Sequence, residues 1–106
     1  MSKKVKIVVG VPESHADKVR EAIAQAGAGK IGNYSHASFS CKGIGRFKPL
    51  EGANPAIGKI GQLEQVIEER IETDCAKKIV KEVVEAIRRA HPYEEPAIDI
   101  YPLEDL

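Results

Sequence analysis

The chain has no tryptophan, one methionine, and only five aromatic residues among 106. It also lacks any charge imbalance: 16 basic residues stand against 16 acidic ones. A neutral balance gives no electrostatic reason to seek out nucleic acid or an anionic membrane. No apolar run approaches the roughly 18 residues that a membrane-spanning helix needs. The start, Met1-Ser2-Lys3-Lys4, is basic, but Val5 to Val11 is short and broken by Lys6. No small-residue cleavage site follows, so this reads as a first strand and not a signal peptide. Cys41 and Cys75 are the only thiols and are far apart, which fits reduced cysteines and a cytoplasmic setting. In that setting the sequon at Asn33-Tyr34-Ser35 carries no consequence.

A length of 106 residues fits one domain with one core. Val5, Ile7, Val9 and Val11 alternate at period two, a strand signature, and Pro12 ends the run. Ser14 reads as an N-cap, with Val19, Ala22, Ile23 and Ala26 at helical spacing behind it. Gly27 and Gly29 stop that helix. Tyr34 to Cys41 reads as a second strand. Lys42 to Gly61 carries five glycines and two prolines and reads as a long loop, with a short hairpin around Ile44 to Phe47. Leu63 to Cys75 is ambiguous: Leu63, Val66, Ile67 and Ile71 suit a helix, which propensity favours, but Leu63, Ile67 and Ile71 also fit one face of a strand with Glu64, Val66, Glu68, Arg70 and Glu72 opposite. Ala76, Ile79, Val80, Val83, Ile87 and Ala90 form a second helical stripe. Arg88, Arg89 and His91 sit at its C-terminal end, where the helix dipole favours cations. Ala97 to Tyr101 reads as a last strand.

Three motifs fail on context. Gly27-Ala28-Gly29-Lys30-Ile31-Gly32 spells G-x-G-x-x-G, but a helix precedes it and a strand follows, the reverse of a dinucleotide site. The run from Gly52 to Ile60 has one residue too many for a phosphate loop and lacks its Ser or Thr. Its glycine-rich backbone with Lys59 still suits an anion nest. Gly43-Ile44-Gly45-Arg46-Phe47 lacks the aromatic pair that stacks RNA bases. The densest polar cluster is His91-Pro92-Tyr93-Glu94-Glu95-Pro96. With Glu64 it offers His91, Glu94 and Glu95 as metal ligands or acid–base groups. The plainer reading is a proline-bracketed turn in which His91 caps the helix and Tyr93 packs. His15 and His36 stand alone and read as structural.

Five runs carry a resemblance. They are Gly29-Lys30-Ile31-Gly32-Asn33-Tyr34-Ser35-His36-Ala37-Ser38-Phe39, Gly43-Ile44-Gly45-Arg46-Phe47-Lys48-Pro49, Gly52-Ala53-Asn54-Pro55-Ala56-Ile57-Gly58, Glu64 to Glu72, and Ala90 to Ala97. In this order and spacing they resemble the PII-like insert of bacterial YqfO-type members of the Nif-three-like family, here as a stand-alone chain. The likeness implies an α+β, ferredoxin-like βαββαβ two-layer sandwich of the PII and CutA kind over residues 1–106, and so a strand at Leu63 to Asp74. It implies a homotrimer, since PII and CutA are trimers. The family's metal-binding body has no counterpart here, so the name GTP cyclohydrolase often given to that family does not carry over. Ala37 stands where relatives often have Cys, which weakens any thiol site on that strand.

The expected function is that of a non-catalytic regulatory or ligand-binding protein. A small anionic ligand or a partner protein would meet the 42–61 loop through Gly43, Gly45, Lys48, Gly58 and Lys59. The alternative is a metal-binding or hydrolase-type accessory role centred on His91, Glu94, Glu95 and Glu64. No cofactor is required on the first reading; a divalent metal belongs to the second.

Overall fold

The computed structural model describes residues 3–106; Met1 and Ser2, the start of the basic lead-in, lie outside them. The order is β1 (Lys4–Pro12), α1 (Ala16–Gln25), β2 (Phe39–Phe47), β3 (Glu64–Ala76), α2 (Val80–Ala90) and β4 (Ile98–Leu103). One turn of tight helix leads into each α-helix, at Glu13–His15 and Lys77–Ile79. The strands form one antiparallel sheet in the order β2-β3-β1-β4. This is the βαββαβ arrangement expected.

Register fixes the two faces of the sheet. Val5 opposes Cys75, Ile7 opposes Thr73 and Val9 opposes Ile71. These side chains point to one side and meet Val19 and Ile23 of α1 and Val83 and Ile87 of α2 in the core. Full burial of each such aliphatic side chain contributes about 1.5–3 kcal/mol. Polar contacts add to this side. Arg20 on α1 donates to Glu69 on β3 at 2.6 Å and to Ser40 on β2 at 3.1 Å. Lys6, Val8, Gly10 and Pro12 share the opposite face with Asp74, Glu72, Arg70 and Glu68. Among the described residues, no helix covers that open face.

The helix-prone segment from Glu64 to Ala76 is a strand because it lies between two others. Glu64 to Glu72 pair with β2 and Glu68 to Ala76 pair with β1, so a helix over this segment would forfeit both ladders. β2 departs from the expectation. It runs from Phe39 to Phe47, not from Tyr34 to Cys41, and includes Gly43 and Gly45. Residues 34–38 instead follow a tight turn in which Ile31 and Tyr34 exchange backbone hydrogen bonds. The segment is tied down by the Ala37 N–H on the Gly29 carbonyl and the Thr73 hydroxyl on the Ala37 carbonyl, each at 2.9 Å. The open loop therefore spans 48–63, not 42–61. Ser14 is not the cap of α1: the cap position is His15, no side chain closes it, and the Ser14 hydroxyl lies 2.8 Å from the ring of His15.

Candidate functional site

Two irregular segments meet at one end of the sheet. One is the 48–63 loop; the other is the turn from His91 to Ala97. The loop folds on itself through the Gly61 N–H on the Pro49 carbonyl (2.7 Å) and the Ala53 N–H on the Leu50 carbonyl (3.0 Å). It is latched to the turn by the Asn54 N–H, which donates to Glu94 Oε1 at 2.8 Å. Between them lies a cleft of about 540 Å³, with walls of Phe47, Pro49, Leu50, Pro55, Ile57 and Ala97.

His91 anchors the turn. It is buried, and its ring lies between two backbone groups. Nε2 is 2.7 Å from the Gly10 carbonyl, and the Tyr93 N–H is 3.1 Å from Nδ1. A carbonyl only accepts and an N–H only donates. His91 is therefore neutral, with its proton on Nε2. Burial pushes its pKa below the ordinary value, against the pull of the Gly10 bond and the Glu68 charge. This corrects the reading of His91 as a cation at the end of α2: the tertiary burial outweighs the helix dipole.

Tyr93 then crosses above β1. Its ring stacks edge-on to Phe47 at 5.5 Å and leans on the His91 ring at 4.9 Å. Its hydroxyl donates to Glu68 Oε2 at 2.9 Å. Burial first, and then that carboxylate, push the phenol well above its usual range. Glu68 itself lies where two neighbouring strands have no side chain. A Cβ on Gly45 would stand 2.5 Å from its carboxyl carbon, and one on Gly10 would stand 2.8 Å from Oε1. The glycines of β1 and β2 thus form a cradle for one carboxylate on the floor of the cleft.

Of the ligand residues expected from sequence, Gly45 and Lys48 line the cleft, while Gly43, Gly58 and Lys59 do not. Gly43 pairs with Glu68 in the ladder, and Gly58 packs against the Glu64 side chain. Of the metal set, Glu94 and Glu95 line the cleft. Both ring nitrogens of His91 are already engaged. Among the described residues no three His, Cys, Asp or Glu side chains are grouped closely enough to hold a metal ion. Glu68 and Gly10 were missed by sequence reasoning. The available signal was Gly10, a lone glycine inside the β-branched run from Val5 to Val11, which marks a close approach in a strand.

No protein-family model matches the chain. It is 57% identical over 98 residues to a GTP cyclohydrolase 1 type 2 homolog of Halalkalibacterium halodurans and 54% identical over 99 residues to that of Bacillus subtilis. In each case 26% of the relative is covered, so the chain spans about a quarter of the length of these proteins. A crystal structure of a Bacillus cereus protein related to NIF3 superposes with a TM-score of 0.85 at 49% identity, over 98% of this chain and 26% of that one. CutA from Archaeoglobus fulgidus gives 0.70 at 15% identity over 96% of this chain and 85% of that one. PII from Arabidopsis thaliana gives 0.65 at 16% identity over 100% and 80%. At those identities the likeness is one of fold. Among the described residues, no helix is long and apolar enough to cross a membrane. The chain is thus homologous to one segment, of about 98 residues, of the GTP cyclohydrolase 1 type 2 homologs related to NIF3, and it has the fold of CutA and PII.

Proposed function

We propose that this domain is a non-catalytic, PII-like binding module that works as a homotrimer and takes a small ligand or a partner's side chain in the cleft between the 48–63 loop and the His91–Ala97 turn. The observation that carries the reading is the cleft itself. It is apolar-walled, about 540 Å³ in volume, and held open by a latched loop and an anchored turn. Such concave, preformed sites with few polar groups are where small molecules bind. Of the residues expected to meet an anionic ligand, Lys48 and Gly45 line this cleft, beside Glu68, Glu94 and Glu95. The trimer reading draws on the shared fold and on apolar side chains left in the open. Phe39, on the open face, is 67% exposed; Ile67 (60%) and Ile44 (53%) oppose each other on the other face. A second strand layer or a neighbouring copy would cover them.

Two measurements test this. Light scattering is expected to give three times the 11.6 kDa chain mass; a single-chain mass at high concentration rules the trimer out. A thermal-shift screen of nucleotides, phosphates, carboxylates and amines is expected to return a hit that Phe47→Ala weakens. A ligand at a hundred times its Kd adds about 2.7 kcal/mol, well within reach of the method. A hit whose affinity is unaltered by Phe47→Ala would move the site elsewhere.

A further inference from the structure

We infer that the cleft selects a small molecule bearing a protonated amine on an apolar body, and that Glu68 is the residue that makes the selection. This inference rests on the cleft being the binding site proposed above. The first observation is the charge of the lining. Glu68, Glu94 and Glu95 all line the cleft, and the cations there are Arg46 and Lys48. Strand alternation removes Arg46 from the balance. It pairs with Gln65, while Gly45, Phe47, Val66 and Glu68 belong to the other parity, so its side chain points to the opposite face of the sheet. Lys48 is left against Glu68, Glu95 and Glu94, of which Glu94 already accepts from the Asn54 N–H.

The second observation is independent of that count. Glycine weakens a strand, yet β1 and β2 each place one beside the same carboxylate. Both lie where any larger side chain would evict Glu68. Neither has a positive φ, so backbone conformation does not explain them. Tyr93 holds Oε2 from above, and no cation among the described residues pairs with Glu68. Glu68 is half-buried, and the hydrogen-bond donor that holds it is a neutral phenol, not a cation. An ammonium group entering between the apolar walls supplies the missing charge, and the ring of Phe47 or Tyr93 offers a face for the ligand's apolar body.

The test is a titration of the chain with three probes of one shape and different charge: phenethylammonium, 2-phenylethanol and 3-phenylpropanoate, followed by amide chemical shifts. The expected result is that phenethylammonium moves the amides of Phe47, Tyr93, Glu94 and Ala97 and binds at least about tenfold more tightly than the alcohol. Glu68→Gln is expected to abolish that preference and leave the affinity for the alcohol alone. Gly45→Ala, which dislodges the carboxylate without removing it, is expected to lower the preference as well. If the alcohol or the propanoate binds as tightly as the ammonium at these residues, or if both folded variants keep the ammonium preference, the selection by Glu68 is overturned and the cleft remains a site. If no probe moves these amides, the cleft as a small-molecule site falls with it.

Discussion

His91 provides the sharpest stability test, because two physical readings of it give opposite signs. As an exposed cation at the end of α2, its removal would cost no more than about 1 kcal/mol, and acid would favour the folded state. The structure makes it a buried neutral ring that donates to the Gly10 carbonyl and accepts from the Tyr93 N–H. His91→Ala forfeits both bonds, at about 1 kcal/mol each, and leaves a void where the ring was, for about 1–2 kcal/mol more. The expected loss is about 3–4 kcal/mol. For a domain of this size that lowers Tm by more than about 12 °C. His91→Gln keeps a donor and fills most of the space, and is expected to fall between wild type and Ala.

The pH dependence follows from the same geometry. Protonation must put a hydrogen on Nδ1, facing the Tyr93 N–H. The folded pKa is depressed below 6.5, so the unfolded chain takes up the proton first. Stability contributed by His91 is therefore complete above about pH 6.5 and declines as the pH falls below it. Urea melts of wild type and His91→Gln between pH 7.5 and 5 would show the two curves converging in acid. A loss below about 1 kcal/mol for His91→Ala, or a gap that widens in acid, would refute the buried neutral assignment.

Two further outcomes follow from other buried groups. Thr73 is buried, and its hydroxyl holds the Ala37 carbonyl. Thr73→Val leaves that carbonyl unpaired and is expected to cost about 1 kcal/mol in urea unfolding; a neutral or stabilising result would mean water satisfies it. Cys41 is exposed while Cys75 is buried, with its thiol pushed up by burial and by the Asp74 charge. A disulfide reagent at pH 8 should therefore label one thiol quickly and the second only in denaturant, and two equally fast thiols would contradict the register of β3.

The sequence alone determined β1 and the two helices, because alternation in Val5 to Val11 and helical spacing in Val19 to Ala26 and Ala76 to Ala90 are local signals of burial. It also carried the likeness that placed a strand at Leu63 to Asp74, which composition opposed. Only tertiary structure decided β2. Gly43 and Gly45 have poor strand propensity, and their run read as loop; they are in the ladder because β3 offers an unpaired edge. The candidate site was half legible. The proline-bracketed turn and the loop were both singled out, but as rival sites, since nothing local says that residues 40 apart are joined by an Asn54 to Glu94 hydrogen bond. The state of His91 was beyond local reading for the same reason: its partner, the Gly10 carbonyl, lies 81 residues away. The role of Gly10 and Gly45 is set by a carboxylate on a third strand, and a glycine's sequence neighbours do not reveal which side chain needs the space it leaves.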